Sequence, residues 1–174
     1  ESTPVDDGCG AVVCQNGGTC FKGECTCPIG YEGALCETKS AGKYVGKWEL
    51  EETVVVSSDN SKVGTVRKYN IVIKQTSNLV YELNISDFRG DASLGDVIWR
   101  LGWQYITDDD GFEIQTLALP TQFMFNRKQV LNGTRITIES GSGTVNNTGT
   151  FINGTFKTSE PDSTGKEYRE TCEF

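Results

Sequence analysis

The sequence predicts a mostly β protein, in which a small disulfide-rich module precedes an antiparallel β-barrel of about eight strands. Three observations predict this fold class. Six of the seven cysteines lie within residues 9–36. The rest of the chain alternates apolar and polar residues at period two, and recurrent turn signals separate the alternating stretches.

Composition limits the chemistry available to the chain. It has 174 residues, no histidine, 16 basic and 24 acidic side chains, and a net charge of -8. Without histidine there is no Ser-His-Asp or Cys-His catalysis and no His-rich zinc site. The acidic excess argues against nucleic acid or an anionic lipid surface as a main partner. We expect no catalytic residue, no metal and no cofactor.

Residues 9–36 read CGAVVCQNGGTCFKGECTCPIGYEGALC. So many cysteines in so short a segment indicate a disulfide framework, because such a segment buries too little apolar surface to fold without cross-links. The spacing alone leaves many pairings open. A zinc cluster is disfavoured, because Cys25 and Cys27 are separated by one residue and not by the usual two.

Residues 14–20 (CQNGGTC) and the closing turn at residues 30–33 (GYEG) closely resemble epidermal-growth-factor-like (EGF-like) modules. The resemblance implies disulfides between the first and third, second and fourth, and fifth and sixth cysteines, which are Cys9–Cys20, Cys14–Cys25 and Cys27–Cys36. Calcium-binding members of that family carry an Asp or Asn and then an aromatic residue between the third and fourth cysteines, a pattern that residues 21–24 (FKGE) lack. We therefore interpret residues 1–8, including Asp6 and Asp7, as a solvated leader.

Residues 37–42 are polar and predict a short linker, and residues 43–174 predict the β-barrel. Short strands joined by hairpin turns are typical of either a sandwich or an up-and-down barrel, and closure is preferred because it removes exposed sheet edges. The predicted buried faces contain Tyr69, Ile71 and Ile73; Tyr81, Leu83 and Ile85; Trp99, Leu101, Trp103 and Tyr105; and Ile136 and Ile138. The predicted turns are Asp59-Asn60, Ser77-Asn78, Asp110-Gly111, Asn132-Gly133, Gly141-Ser142-Gly143 and Asn153-Gly154.

Gly46-Lys47-Trp48 at the start of the first long strand resembles the Gly-x-Trp signature of lipocalins and related calycin barrels. That resemblance implies that Trp48 plugs the closed end of the barrel. Lipocalins place an arginine of the last strand over this tryptophan. The only candidate, Arg169, points by parity away from the face of Cys172 and Phe174, so the prediction is a lipocalin-like barrel and not a lipocalin.

Taken together, the Cys-rich motifs and residues 43–48 (KYVGKW) resemble a group of Bacteroidetes envelope lipoproteins. A Phe-containing turn at residues 84–88 and glycine-rich hairpins at 140–144 and 151–155 are also similar. The resemblance implies a secretion signal and a lipidated cysteine upstream of Glu1, and hence an outer-membrane or cell-surface address. Because the chain begins at Glu1, we expect a processed form whose targeting segment has been removed.

Two sets of side chains are candidate sites. One aromatic face carries Trp99, Trp103 and Tyr105, with Phe123 and Phe125 beside it, and it either fills a core or lines a pocket for a small apolar ligand or glycan. Cys172 is predicted to be an inward, inert free thiol, with an intermolecular disulfide as the alternative. The four sequons at Asn84, Asn132, Asn146 and Asn153 are glycan acceptors in a secreted animal protein and turn composition in a bacterial one.

We therefore expect a non-enzymatic binding or adhesion component of the bacterial cell envelope. Its partners would be a small apolar ligand or glycan in the barrel and a protein at the EGF-like module, with membrane contact only through the N-terminal lipid. One alternative is a eukaryotic secreted glycoprotein whose EGF-like module binds a receptor. The other is a hydrolase that uses paired carboxylates.

Overall fold

The computed structural model describes residues 8–75, 78–107, 109–125, 128–133 and 135–174, without the side chains of residues 103, 105, 106 and 113–116. The predicted leader, apart from Gly8, and Ser77 of one predicted turn therefore lie outside the described residues. Strands make up 55% of the protein. The helices of the described residues are single 3₁₀ turns, at Ser40–Lys43, Asn60–Lys62, Phe88–Gly90 and Ala92–Leu94. None of them has the length and apolar character needed to cross a membrane.

Four short strands lie in the first quarter: β1 (Thr19–Phe21), β2 (Glu24–Thr26), β3 (Tyr31–Glu32) and β4 (Thr38–Lys39). Nine further strands are β5 (Gly46–Ser57), β6 (Val66–Gln75), β7 (Glu82–Ser86), β8 (Val97–Thr107), β9 (Glu113–Phe125), β10 (Gln129–Leu131), β11 (Ile136–Val145), β12 (Ile152–Pro161) and β13 (Glu167–Glu173). This order of strands without an intervening α-helix matches the mostly β prediction.

The nine strands form one antiparallel sheet in the order β10-β11-β12-β13-β5-β6-β7-β8-β9. Most neighbours in this sheet are consecutive in sequence, as hairpin connections produce. β9 pairs with β8 and also with β11, through Met124 opposite Ser142 and Phe123 opposite Gly143. β9, the last strand in this order, therefore also lies beside β11, the second strand in the order.

Three disulfides hold the cysteine-rich segment together: Cys9–Cys20, Cys14–Cys25 and Cys27–Cys36. This is the pairing that the EGF-like resemblance implies. β1 and β2 form a hairpin whose turn places Lys22 and Gly23 at positive φ. The disulfides connect short loops that have little apolar core of their own, since Cys36 is the one buried hydrophobic residue among residues 9–36 that the structure describes.

The segment expected to be a linker, residues 37–42, is ordered. Its strand β4 pairs with β3, and the backbone N–H of Ser40 donates to the Gly30 carbonyl at 2.9 Å. Ser40 and Ala41 are fully buried, and the Lys43 ammonium bonds to Glu32 at 2.8 Å. The cysteine-rich segment is thus held by backbone and ionic contacts to residues 38–43, which lead into β5 of the large sheet.

The core lies on one face of the large sheet. The predicted buried faces of β6, β7 and β11 are confirmed, since Ile71, Ile73, Leu83, Ile85 and Ile138 have no exposed surface. The residues between them are more exposed, with Asn70 in solvent and Asn84 and Thr137 half-buried, as alternation at period two requires. Further core residues are Tyr44, Leu50, Val54, Tyr69, Phe88, Leu94, Val97, Trp99, Leu101, Phe123, Phe125, Leu131, Ile136, Val145, Ile152, Phe156 and Cys172.

Two predicted turns are wrong. Gly141-Ser142-Gly143 lies inside β11, and Asn153-Gly154 lies inside β12. The glycines are there because neighbours leave no room for a side chain: a Cβ at Gly143 would lie 2.3 Å from the Asn153 carbonyl oxygen and 2.4 Å from the Phe123 ring. The true connection of these strands is at residues 146–151, where the Asn146 side chain accepts hydrogen bonds from the N–H groups of Thr150 and Phe151.

Candidate functional site

Four charged side chains meet within the core: Glu52 of β5, Arg67 of β6, Arg89 of the turn after β7, and Glu170 of β13. We refer to them as the charge cluster. Glu52 lies opposite Arg67 in the antiparallel register, and β13 pairs with the far edge of β5. Glu52 is fully buried and Glu170 is 3% exposed. Burial of charge is costly unless every charge is paired, so the contacts of the cluster decide its role.

Glu52 is surrounded by hydrogen-bond donors. Its Oε1 accepts from Nη1 of Arg67 at 2.6 Å and from Nη2 of Arg89 at 2.9 Å. Its Oε2 accepts from the Tyr69 hydroxyl at 2.8 Å and from Nε of Arg89 at 3.3 Å. Both oxygens of this carboxylate are therefore satisfied by two cations and a phenol.

Glu170 shares the same two arginines. Its Oε2 accepts from Nη2 of Arg67 at 3.0 Å and from Nη2 of Arg89 at 3.3 Å. Nη2 of Arg89 also lies 3.5 Å from the Thr158 hydroxyl and 3.7 Å from the Cys172 sulfur. The two acids and two arginines thus form one network of equal opposite charges.

An unusual turn carries Arg89 into the cluster. Asp87, Arg89 and Gly90 all have positive φ, at 61°, 54° and 71°. This backbone buries Phe88, whose ring packs edge-on against Phe156 at 5.4 Å. Left-handed conformations are unfavourable for residues with a side chain, so the burial of Phe88 and the ion pairs of Arg89 must hold the turn.

The contacts set the protonation states. Burial raises the pKa of Glu52, but the charge of Arg89 and the hydrogen bonds from Arg89 and Tyr69 outweigh it and lower the pKa below its ordinary value. Burial and the nearby Glu52 charge raise the pKa of the Tyr69 hydroxyl well above its usual range. The same two causes raise the pKa of Cys172 to about 12. At neutral pH Glu52 of the charge cluster is therefore ionised, and the neighbouring Tyr69 phenol and Cys172 thiol are neutral.

This arrangement differs from the carboxylate pair that glycoside cleavage uses. Glycoside cleavage needs one carboxyl with a raised pKa beside an ionised one, whereas the pKa of Glu52 is lowered and Glu170 is bonded to the same arginines. The ligand atoms of Glu52, Glu170 and Cys172 lie within 4.8 Å of one another. Arginine already occupies both carboxylates, and metal binding would require the thiol to ionise. The cluster is suited to fixing the positions of β5, β13 and the turn after β7.

Sequence reasoning did not single out the charge cluster, although part of the signal was present. Glu52 has the same parity as Leu50 and Val54, and Glu170 has the same parity as Cys172. A lone acid on an apolar strand face implies a buried cationic partner. No comparable signal identified Arg89, because its position depends on the backbone of a turn.

The aromatic face is packed where the structure describes it. Trp99 and Phe123 are each 1% exposed and stack at 4.0 Å, and Phe125 is 5% exposed. Phe174 stacks on the same tryptophan at 6.1 Å. The indole N–H of Trp99 is buried without a hydrogen-bond partner among the described residues. The side chains of Trp103 and Tyr105 lie outside the described residues.

Three further predicted positions are placed as follows. Trp48 is half-buried against the core, and its indole N–H donates to the Tyr44 carbonyl at 2.7 Å. Arg169 is exposed and pairs with Glu167 at 3.1 Å, so it does not cover this tryptophan. Cys172 is a free cysteine with no exposed surface.

An open groove lies at the surface where β11, β12, β13 and β5 run side by side. Its volume is about 610 Å³. We call it the β12–β13 groove. It combines basic, acidic and hydroxyl side chains around the exposed Val56. Its lining residues are Val56, Ser57, Ser58, Lys128, Glu139, Lys157, Thr158, Glu167, Arg169, Glu170 and Thr171.

Three of the sequon asparagines make side-chain hydrogen bonds within the protein. The Asn146 side chain organises the turn between β11 and β12 and donates to the Thr150 hydroxyl at 2.8 Å. The Asn153 side-chain oxygen accepts from the Thr144 hydroxyl across the β11–β12 pair at 2.5 Å. The Asn84 amide donates to Asp96 at 3.0 Å. The sequon of Asn132 includes Thr134, which lies outside the described residues.

No protein-family model, curated protein or solved structure matches this chain. Its function must therefore be argued from its own residues.

Proposed function

We propose that this chain is an exported, non-enzymatic glycan-binding component of the bacterial cell envelope. The observation that carries the proposal is a contrast between two regions. The apolar face of the sheet is filled by its own side chains, with Trp99 stacked on Phe123, whereas the polar β12–β13 groove is open. A filled core provides rigidity, and an open groove of this size provides a binding surface.

We further infer that the large sheet is a closed, lipocalin-like barrel of eight strands, with β10 as an addition to β11. The pairing of β9 with both β8 and β11 supports this closure. The half-buried Trp48 supports its role as a plug at one end of the barrel. In such a barrel the charge cluster and Phe88 fill the interior, which argues against an apolar ligand inside it.

Glycans suit the β12–β13 groove because their hydroxyl groups need a high density of donors and acceptors. The groove offers the hydroxyls of Ser57, Ser58 and Thr171 beside charged side chains, and Val56 is 60% exposed for contact with the C–H face of a sugar. Small apolar ligands, by contrast, prefer enclosed and mainly apolar pockets.

The three disulfides support an oxidising compartment outside the cytoplasm. The proposed address is the outer membrane or cell surface, with a lipidated cysteine upstream of Glu1. Expression of the full precursor with labelled palmitate tests this address. Label on a cysteine upstream of Glu1 supports it, and an unlabelled secreted product contradicts it.

The binding function is tested by applying the purified protein to an array of plant, host and bacterial oligosaccharides. Retention of at least one class, with its chain length unchanged after overnight incubation, is the expected result. Absence of retention on every class would overturn glycan binding. Shortened oligosaccharides would overturn the non-enzymatic assignment and favour the carboxylate-dependent hydrolase.

A second candidate function is protein binding by the cysteine-rich segment, as in the alternative of a secreted glycoprotein that engages a receptor. Two large apolar side chains favour it: Val13 is 77% exposed and Phe21 is 67% exposed. Exposed apolar residues of this kind are common at protein interfaces. Cross-linking on intact cells distinguishes the two functions, because V13S/F21S would abolish a protein contact and leave glycan retention unchanged.

A further inference from the structure

We propose that the β12–β13 groove binds glycans that carry carboxylate groups, such as chains of uronic acids, and that Lys157 is the residue that pairs with the carboxylate. This inference rests on the proposed glycan-binding function and names its ligand class.

The charge of the groove differs from that of the whole chain, whose net charge is -8. The groove brings together Lys128 just before β10, Lys157 of β12 and Arg169 of β13. Its lining holds as many acids, Glu139, Glu167 and Glu170, so the charges of the lining balance. An anion is therefore repelled less in the groove than elsewhere on this acidic chain.

The three cations differ in whether they already have an ionic partner. Lys128 pairs with Glu139 at 3.3 Å, and Arg169 pairs with Glu167 at 3.1 Å. Lys157 has no ion pair within the ranges that the structure describes, and its strand positions opposite are Ser140 and Thr171. The remaining acid of the groove lining, Glu170, belongs to the charge cluster and is bonded to Arg67 at 3.0 Å. A ligand carboxylate would therefore bind most favourably to Lys157, because it would not have to displace a carboxylate of the protein.

Hydroxyl and carboxylate groups line the rest of the groove. The backbone N–H of Arg169 donates to the Ser58 hydroxyl at 3.0 Å, which leaves the hydroxyl proton of Ser58 directed elsewhere. Glu139 is fixed by the Ser159 hydroxyl at 2.8 Å, and this hydrogen bond, with the Lys128 contact, lowers the pKa of Glu139. An ionised Glu139 and the cation of Lys157 on neighbouring strands make the groove asymmetric in charge. A sugar with one carboxylate can match this asymmetry, and its remaining hydroxyls can bond to the serines.

The same charges disfavour a densely charged polyanion. A nucleic acid carries a phosphate at every nucleotide and would meet Glu139, Glu167 and the overall charge of -8. Uronic-acid chains that alternate charged and neutral sugars avoid most of this repulsion. The groove therefore favours carboxylated glycans of low charge density.

The test compares matched oligosaccharides by isothermal titration calorimetry: a galactose trimer in which one sugar is replaced by galacturonic acid, the methyl ester of that trimer, and the neutral galactose trimer. We expect the wild-type protein to bind the free acid at least about tenfold more tightly than either neutral form, which is the discrimination expected from one charge-assisted hydrogen bond. Binding should weaken with added salt.

Three variants locate the site. K157Q should weaken binding of the acid about tenfold and leave the neutral trimer unchanged. E139Q should strengthen binding of the acid about two- to threefold, because it removes an opposing charge. K74Q, which alters an exposed lysine of β6, should have no effect. Equal binding of the acid and its methyl ester, or an unchanged K157Q, would overturn this inference while the array result still supports glycan binding. Binding of none of the trimers, with a positive array, would also overturn it.

Discussion

The guanidinium of Arg89 donates to the carboxylate of Glu52 at 2.9 Å, although Glu52 has no exposed surface. The two residues are 37 positions apart in sequence, one on a strand and the other on a turn. This ion pair therefore connects β5 to a turn whose backbone is unfavourable on its own. The consequence is that the stability of the core and the conformation of residues 87–90 depend on each other.

Replacement of Arg89 by methionine should lower the free energy of unfolding by about 3 to 5 kcal/mol, because it leaves Glu52 and Glu170 with a single shared cation inside the core. Urea unfolding followed by tryptophan fluorescence measures this. The control is R135M, which removes the exposed ion pair with Asp91 at 3.1 Å and should cost at most about 1 kcal/mol. Equal losses in the two variants would contradict a role for the charge cluster in stability.

The lowered pKa of Glu52 predicts the pH dependence of stability. Its ordinary value is 4.5, and the folded value lies below it. The folded state therefore binds this proton more weakly than the unfolded state, so the stabilisation is complete above about pH 4.5 and is lost as the pH falls through the folded pKa. Urea midpoints at several pH values between about 3 and 7 should fall on the acid side.

The comparison that isolates Glu52 is E52Q measured over the same pH range. Asp59, Asp91 and Glu139 also have lowered pKa values, but they are present in both proteins. The difference between wild type and E52Q should therefore shrink as the pH falls below about 4.5. A difference that stays constant with pH would mean that Glu52 does not titrate differently in the folded state.

Strand faces could be predicted from the sequence because alternation directly reports burial, as Ile71 and Ile73 of β6 illustrate. Glycine was harder to interpret, because it serves two different needs. Gly111 has the positive φ of a turn, whereas Gly141 and Gly143 are extended and only lack room for a Cβ. Sequence alone does not separate these two uses.

The candidate site was less predictable than the fold. Parity placed Cys172 inward and could have placed Glu52 inward as well, but a single strand pattern does not reveal which cation completes the pair. Arg89 reaches the core through a turn with three left-handed residues, which no periodicity describes. The β12–β13 groove combines residues from four strands, so its outline depends on register and strand order.

Cys172 should be unreactive in the folded protein. Its thiol has no exposed surface, and burial and the Glu52 charge raise its pKa to about 12. A thiolate is needed for reaction, so a disulfide-exchange reagent at about pH 8 should release no chromophore from the native protein and one equivalent after denaturation. Rapid labelling of the native protein, or a dimer that a reductant separates, would contradict this and favour an intermolecular disulfide.

Reduction of the disulfides should affect the cysteine-rich segment before the large sheet. Each of the three bridges closes a loop of about ten residues and is worth roughly 2 to 4 kcal/mol to a segment with little core. Limited proteolysis after mild reduction should therefore cleave within residues 9–36 and leave a resistant fragment that begins near the 3₁₀ turn at Ser40–Lys43. Simultaneous loss of both regions would show that the contacts through Ser40 and Lys43 make them one cooperative unit.

The junction of β9 and β11 provides a test of barrel closure. Gly143 lies opposite Phe123 in this pairing, and a Cβ there would meet the Asn153 carbonyl oxygen at 2.3 Å. The same Cβ would also meet the Phe123 ring of β9, so G143A should push both β9 and β12 away from β11 and lower the free energy of unfolding by about 1 to 3 kcal/mol. Hydrogen exchange should accelerate first in β9 and β11. G42A is the matched control, since a Cβ at Gly42 has nothing within 4 Å and its φ is not positive. Unchanged exchange in β9 and β11 of a destabilised G143A protein would indicate that this pairing does not close the sheet.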